Sequence, residues 1–317
     1  MRWGCKVSTA RKHHPSCVVE QAFGPRGICQ GEQRRTHGLY DWSRCWEHSV
    51  TTWFRERSIF MTGNAAKILS YDDTIRADCI PIGCNPELDL DTLARRFQET
   101  GRVRIPAFLS PGSAEMREYL ADTDEWIQVI NKPGGVLEME LSEWQVLGSR
   151  RKSSIQRDMY ARGARGFQYS YAAVRIPTAD EVDDDDSPLA DFSRFMMSAG
   201  LRRTVEAIIG TENLHFTDGQ ATTYGVGDFL TGHDDDVPGR NRVAAFVLGM
   251  TPLWRLEWGG LLIFHPTPDA DALALVPAFN TLDLFAVPAL HSVSQVMPCA
   301  EGPRRALTGW LSRSAQA

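Results

Sequence analysis

The apolar residues between positions 88 and 101 recur with the period of a helix. Aspartates at the start of this segment suit a helix N-cap, and Gly101 suits a helix end. The apolar positions that share one face are Leu90, Leu93, Ala94 and Phe97. This pattern predicts an amphipathic helix that packs against a core.

Two further segments carry helix signals. The dipeptide Ser110-Pro111 is typical of a helix start, so we expect a helix from there through Leu120. The residues from Pro188 to Ile209 are amphipathic and are followed by Gly210, which predicts one continuous helix.

Other parts of the chain alternate with the period of a strand. Residues 102–109 predict a strand and loop, residues 126–141 a hairpin around Lys132–Gly135, and residues 166–176 a strand. The acidic run Asp183–Asp186 lacks the ligand spacing of a calcium loop, so we expect a solvated loop there.

After Glu212, short apolar runs alternate with glycine, proline and asparagine. Such a succession predicts a barrel or a double-sheet jelly roll. Every second side chain of its strands points inward, so residues from remote strands converge in one mouth. We therefore expect a mainly β fold with flanking helices that cover the larger sheet.

The pattern also divides the chain. Residues 61–210 should form a helical and strand support region, and residues 211–317 the jelly-roll core, with 88–314 making one catalytic domain. Residues 1–60 carry ten lysines and arginines against five acidic residues and show no sustained period, which predicts a poorly ordered extension. Met61 is a candidate for the true initiator.

Composition narrows the function classes. A net charge of −6 over 317 residues argues against a nucleic-acid partner, and no apolar run is long enough to span a bilayer. The beginning of the chain lacks the apolar stretch of a secretory signal, so we expect a cytoplasmic protein. Partners are expected to be a small-molecule or a protein or peptide substrate, and a homodimer is left open.

The triplet His233-Asp234-Asp235, followed later by His291, carries the candidate chemistry. On an extended segment His233 and Asp235 would project to the same side, so that both reach one cation. Two histidines and a carboxylate on one face of an octahedron leave three positions open, as in non-haem Fe(II) oxygenases. An HxD triplet alone is weak, and its commoner interpretation is a solvated loop.

Sequence context strengthens the metal interpretation. The phrases TYGVGDFLTGHDDD, RVAAFVLGM, WGGLLIF, LFAVPALHSVSQV and RRALTGWL follow one another over residues 223–311. Their order resembles the 2-oxoglutarate- and Fe(II)-dependent dioxygenases, in the prolyl 4-hydroxylase-like branch, over about residues 88–314. The resemblance implies a double-stranded β-helix of the cupin-like jelly-roll type.

The resemblance also implies roles for single residues. His233, Asp235 and His291 would bind iron, and Arg304 would bind the distal carboxylate of 2-oxoglutarate with its planar fork of donors. Tyr224 matches the family tyrosine that touches the co-substrate, although a packed strand aromatic is the commoner role of such a residue.

Two residues near Arg304 are further candidates for contact with the co-substrate. Thr308, four residues on, would share its face and add a hydrogen bond. Arg305 would point away, unless a bulge near Gly302-Pro303 exchanged the two faces. Ala306 stands where the family usually has serine.

Two other histidines, His215 and His265, are alternative candidates for the metal ligand. His265 is expected at a strand end in solvent, and His215 in a strand with a structural role. Neither precedes an arginine by thirteen residues, as His291 does in the family pattern.

The implied activity is hydroxylation of an unactivated C–H bond, with O2 consumed, 2-oxoglutarate converted to succinate and CO2, and ascorbate as a supporting reductant. A prolyl residue is the branch-level substrate, and a free amino acid or another small metabolite is the alternative. Asp235 favours hydroxylation, because related halogenases have a small residue there. The competing interpretations are a cupin-like metalloprotein with non-oxidative isomerase or hydrolase activity, and a small-molecule binding module.

Overall fold

The computed structural model describes residues 81–313. The predictions for residues 1–60 and for Met61 fall outside this range. Within it, the α-helices are α1 (Leu90–Thr100), α2 (Ser113–Asp122), α3 (Leu141–Val146), α4 (Ser149–Gly163), α5 (Pro188–Met197) and α6 (Ala199–Ile209). No helix among these has the length and apolar character needed to cross a bilayer.

The strands form one curled sheet in two parts. The larger part runs in the order β1, β10, β7, β12, β5, β4, and the smaller part continues with β6, β11, β8, β9. The strand bounds are β1 (Arg102–Pro106), β2 (Ile127–Lys132), β3 (Gly135–Glu140), β4 (Tyr169–Arg175), β5 (Leu214–Tyr224), β6 (Phe229–His233), β7 (Arg242–Gly249), β8 (Leu262–Phe264), β9 (Leu273–Leu275), β10 (Thr281–Ala286), β11 (His291–Val293) and β12 (Arg304–Arg313). The predicted mainly β class is confirmed.

Strand β4 joins the two parts of the sheet. Its residues Ala172–Arg175 pair with β5, and its residues Tyr169 and Ser170 pair with β6. Its other edge pairs with β2, which carries the hairpin partner β3. The hairpin predicted for residues 126–141 is confirmed.

Helix α1 forms where the sequence predicted it. The side chain of Asp89 accepts a hydrogen bond from the backbone N–H of Thr92, which satisfies one of the free donors of the first turn. Gly101 adopts a left-handed conformation at φ 68° and ends the helix, a conformation that costs glycine little. Phe97 is the buried residue of its apolar face.

Two helix predictions need correction. The single helix expected from Pro188 to Ile209 is two helices, because Ser198 is extended at ψ 145° and its side chain caps α6 by accepting from the N–H of Leu201. Helix α2 begins at Ser113, later than the Ser110-Pro111 start. Helices α3 and α4 were not predicted, and α4 has few apolar residues to show a period. A short 3-10 turn, Val182–Asp184, lies in the acidic run expected to be loop.

The main core lies between helices α1, α5 and α6 and one face of the larger sheet. It includes Phe192 and Ile208 from the helices and Leu248, Leu284 and Leu307 from the strands. Each of these side chains contributes about 1.5–3 kcal/mol by burial. The opposite face of the same strands is left to line an internal cavity.

Candidate metal centre and co-substrate cavity

Strands β6 and β11 bring the two predicted histidines together. His233 is the last residue of β6 and His291 the first of β11, and the two are directly paired in the antiparallel register. Their ring centroids lie 4.1 Å apart. Residues far apart in sequence are thus neighbours because the two strands pair.

Asp235 completes a compact group with them. Its Oδ1 lies 3.6 Å from Nε2 of His233, and its Oδ2 lies 3.5 Å from Nε2 of His291. One ligand atom from each residue lies within 4.8 Å of the others, and all three residues are buried. These separations are longer than the roughly 3 Å of an ordinary hydrogen bond. They suit three ligand atoms that share one cation.

Backbone carbonyls orient both imidazoles. Nδ1 of His291 lies 2.7 Å from the carbonyl oxygen of Ala289, and Nδ1 of His233 lies 3.1 Å from that of Thr231. An Nδ1–H that donates to a carbonyl leaves the lone pair on Nε2, which faces the carboxylate. Burial, together with the neighbouring His291, lowers the pKa of His233 to about 4, so its ring is neutral near pH 7.

The backbone conformation that brings the Asp235 carboxylate to the histidines differs from the predicted one. The sequence prediction placed His233 and Asp235 on one extended segment, but β6 ends at His233. Asp235 has a left-handed backbone at φ 64°. Its side chain therefore reaches the histidines through a turn of the main chain, which aspartate tolerates better than most residues. Strand alternation was the wrong reason for the convergence.

The buried donor set fits a metal ion. Oδ1 of Asp235 has no hydrogen-bond partner among the described residues, and the whole residue is only 4% exposed. A buried carboxylate oxygen without a donor costs free energy, and a cation at the centre of the group would remove that cost. Two imidazoles and one carboxylate suit divalent iron.

Arg304 lies in the same cavity as the three residues. It opens β12, is 3% exposed, and lines the cavity together with His233 and Asp235. Its Nε lacks a hydrogen-bond partner, and no salt bridge joins it to an acidic residue of 81–313. Burial lowers its pKa, but a guanidinium remains charged in proteins. A buried unpaired cation fits a carboxylate ligand.

The register of β12 separates the two candidate arginines. Arg304 and Thr308 face the cavity, whereas Arg305 lines a different cleft on the other side of the sheet. The bulge in this strand lies between Trp310 and Leu311, remote from Gly302-Pro303. Ala306 is fully buried between Arg304 and Thr308.

Thr308 and Tyr224 occupy the cavity in different ways. The hydroxyl of Thr308 donates to the carbonyl oxygen of Gln220 at 3.3 Å, so its proton is already used. Tyr224 is buried and its ring lies beneath Arg304, which excludes a hydroxyl at the surface. Burial raises the pKa of Tyr224 far above its usual range, so the phenol stays protonated.

Gln220 and Tyr171 form a hydrogen-bonding wall of the cavity. Nε2 of Gln220 donates to the hydroxyl of Tyr171 at 3.3 Å, and the ring of Tyr171 stacks on that of Tyr224 at 5.2 Å. Burial raises the pKa of Tyr171 to about 12. Once Tyr224 is known to face inward, the period of two along β5 identifies Gln220 as well.

Tyr169 also lines the cavity, next to Tyr171. His265 is half-buried against Ser292 rather than free in solvent, with 2.9 Å between Nε2 and Oγ. A separate cleft of about 600 Å³ contains Trp126 and Lys152 but none of the three metal-site residues.

Comparisons with known proteins agree with this geometry. Residues 219–312 match the 2OG-Fe(II) oxygenase superfamily. The sequence is 28% identical over 144 residues to the prolyl 3-hydroxylase OGFOD1 of Mus musculus, covering 43% of this chain and 26% of that protein. It is 30% identical over 126 residues to OGFOD1 of Xenopus laevis, covering 37% of this chain and 24% of that protein. The match thus spans about a quarter of the length of these relatives.

A solved structure shares the fold. An oxidoreductase of the 2OG-Fe(II) oxygenase family from Burkholderia pseudomallei superimposes with a TM-score of 0.51 at 16% identity, over 74% of this chain and 95% of that chain. At this identity the likeness shows the fold, and it confirms the predicted jelly roll. The predicted resemblance to the 2-oxoglutarate- and Fe(II)-dependent dioxygenases, in the prolyl hydroxylase-like branch, is confirmed by the family match over residues 219–312 and by the sequence relatives.

Proposed function

We propose that this protein is an Fe(II)- and 2-oxoglutarate-dependent dioxygenase that hydroxylates an unactivated C–H bond. One observation carries the proposal. A buried His-Asp-His group and a buried guanidinium that has no ionic partner within residues 81–313 line the same cavity. A metal site alone would need no such cation, which is the expected anchor for the far carboxylate of the co-substrate.

Each residue has a separate task in this proposal. His233, Asp235 and His291 hold Fe(II), and Arg304 pairs with the distal carboxylate of 2-oxoglutarate. Bound Fe(II) with 2-oxoglutarate and O2 supplies the oxidising chemistry, with succinate and CO2 as co-products. The protein places the reactants and excludes water, since most of the side chains that line the cavity are buried.

Tyr171 and Tyr224 orient the co-substrate. The hydroxyl oxygen of Tyr171 accepts from Gln220, so its own proton is free to be donated into the cavity. Tyr224 supports the guanidinium of Arg304 from below, with 5.0 Å between the guanidinium carbon and the ring centroid. Thr308 contributes shape there, since its proton is engaged by Gln220.

A prolyl residue in a peptide or protein is the proposed substrate, with a free amino acid as the alternative. The sequence relatives are prolyl 3-hydroxylases, which supports a prolyl target for this chain. We further propose that residues 88–314 make one catalytic domain and that ascorbate supports turnover. A cytoplasmic location, the lack of a nucleic-acid partner and a homodimer belong to the same proposal.

A spectroscopic experiment tests the function. Fe(II) and 2-oxoglutarate are added anaerobically to the full chain, and the weak visible charge-transfer band of the chelate is followed. We expect the band in the wild type, a loss of the band in His233→Ala, and a weaker band at the same 2-oxoglutarate concentration in Arg304→Met. A wild type that binds Fe(II) without the band would favour the non-oxidative metalloprotein.

The substrate is tested by product release. Succinate is measured on air-saturated incubation with prolyl peptides, free proline and a pool of other amino acids. We expect prolyl peptides to raise succinate formation above the rate without substrate. Each hydroxylated peptide should gain about 16 Da, the mass of one oxygen atom. Stimulation by free amino acids alone would move the assignment to a metabolite hydroxylase.

A further inference from the structure

A buried arginine outside the metal group contacts the main chain of its carboxylate residue. Arg242, the first residue of β7, donates from Nη1 to the carbonyl oxygen of Asp235 at 3.3 Å. Its side chain is 3% exposed. The hydrogen bond joins the larger part of the sheet to the segment that follows β6, at the residue whose carboxylate faces the two histidines.

Two further residues hold this guanidinium. Nη2 lies 3.4 Å from Oδ2 of Asp218 on β5, and the guanidinium carbon lies 3.9 Å from the ring centroid of Trp310 on β12. One edge of the planar group is thus shared between a carboxylate and a carbonyl, and one face is stacked on an indole. A guanidinium combines several N–H donors with a flat face, whereas the ammonium group of lysine has no flat face.

The contacted peptide is a strained one. Asp235 has φ 64°, and a left-handed conformation costs a residue with a Cβ roughly 1–2 kcal/mol. Such a conformation persists only where the surroundings impose it. Among the described residues, Arg242 is the donor recorded for this carbonyl, while the neighbouring Asp234 is tied through its own carbonyl to the N–H of Ala289.

The direction of the carboxylate depends on this peptide. Rotation of the Asp235 backbone toward an ordinary conformation would turn its side chain away from His233 and His291, because the side chain leaves the Cα at a fixed angle to the main chain. The histidines are oriented by Thr231 and Ala289 and do not need Arg242. The effect of Arg242 should therefore be specific to the carboxylate ligand.

We propose that Arg242 is a positioning residue of the metal site, which fixes the left-handed peptide of Asp235 and so keeps its carboxylate aimed at the metal. This inference rests on the proposed function only through the metal ion, not through 2-oxoglutarate or the substrate. Asp218 and Trp310 act one step further out, by fixing the guanidinium. Residues that orient a metal ligand in this way typically change metal affinity by about 10–100-fold when replaced.

Metal binding by the full chain tests the proposal. Co(II) is titrated anaerobically into the wild type, Arg242→Met, Arg242→Lys and Arg242→Ala, with its visible absorption and the heat of binding as readouts. We expect Co(II) affinity to fall by about 10–100-fold in all three variants, lysine included. Low millimolar guanidinium should restore affinity in Arg242→Ala, whereas the same concentration of methylammonium should not.

A matched control separates positioning from general stability. Arg194 is also a largely buried arginine, paired with Asp191 at 2.8 Å and bonded to the carbonyl oxygen of Asp185, but on helix α5 away from the cavity. Arg194→Met should lower the melting temperature while leaving Co(II) affinity unchanged. Wild-type Co(II) affinity in Arg242→Met, or the same affinity loss in Arg194→Met, would overturn the proposal.

The outcomes distinguish this inference from the proposed function. His233→Ala should abolish Co(II) binding and so locate the titrated site. If the wild type binds Co(II) there but forms no chelate with 2-oxoglutarate, the proposed function fails while the role of Arg242 stands. If the chelate forms and the Arg242 variants bind Co(II) normally, the reverse holds.

Discussion

Arg304 lies directly opposite Tyr224 in the ladder between β12 and β5. The guanidinium is buried over the phenol ring and has no carboxylate partner among the described residues, so an anionic ligand is its missing partner. Removing one member of a buried charge pair costs about 2–5 kcal/mol. We expect Arg304→Met to raise the KM for 2-oxoglutarate by about 100-fold, measured by succinate formation. Arg305→Met, on the other face of the strand, is the control, and a larger effect there would move the anchor.

The carboxylate ligand can be tested against its own neighbour. Asp235→Ala removes a negatively charged ligand, and we expect iron binding and succinate formation to fall by at least about a thousandfold. Within residues 81–313 the Asp234 carboxylate accepts from the N–H of Asp236, so Asp234→Ala should keep most of the activity. Full turnover by Asp235→Ala would contradict the assignment of the metal site.

Tyr171 should affect the co-substrate modestly. One hydrogen bond is worth about 0.5–1.5 kcal/mol, so Tyr171→Phe should raise the KM for 2-oxoglutarate by about 2–10-fold. Tyr160→Phe removes a hydroxyl that accepts from Gln295 outside the cavity and serves as the control. Equal effects of the two substitutions would mean that Tyr171 has no role in binding.

Glu181 predicts a pH dependence of stability. Although burial alone would raise its pKa, hydrogen bonds from Arg175 and Thr178 lower it to about 2. The folded state thus favours the ionised form, so its contribution is present above the usual pKa near 4.5 and is lost as the pH falls toward 2. The side chain is 44% exposed, and solvent screening limits the contribution to about 1 kcal/mol.

We therefore expect Glu181→Gln to lower the free energy of unfolding by about 1 kcal/mol at pH 7 and by less at pH 3. Urea unfolding at the two pH values measures the difference. A deficit that grows as the pH falls would contradict the assigned direction of the pKa shift.

Gly249 has no room for a side chain. A Cβ built there would lie 2.1 Å from the carbonyl oxygen of Ala278, which is main chain and cannot move aside cheaply. We expect Gly249→Ala to destabilise the fold by about 1–3 kcal/mol in urea unfolding. Gly148→Ala meets nothing within 4 Å and should change stability by much less.

The sequence predicted elements whose signals are local. Asp89 and Gly101 predict the two ends of helix α1, and the order of the motifs predicts that His233, Asp235 and His291 lie near one another. The break at Ser198 was not predicted because a serine between two apolar segments of helical period also occurs inside continuous helices. Helix α4 was not predicted because it is rich in charged residues and has one buried residue, Met159, so its sequence shows no apolar period.

Contacts between remote strands could not be predicted in the same way. Arg242, Asp218 and Trp310 meet only because β7, β5 and β12 are adjacent in the sheet, and nothing near any of them in sequence indicates the others. The left-handed turn at Asp235 is likewise fixed by tertiary contacts rather than by a glycine. The register of a strand, known only from its partners, determines which of Arg304 and Arg305 enters the cavity.

Strand β4 holds one edge of β5 and one end of β6 at the same time. The strands that carry residues proposed to bind iron and the co-substrate therefore pair with the same segment, strand β4. Heat or denaturant that releases this segment should abolish both affinities in a single cooperative event, with no intermediate that retains one and lacks the other.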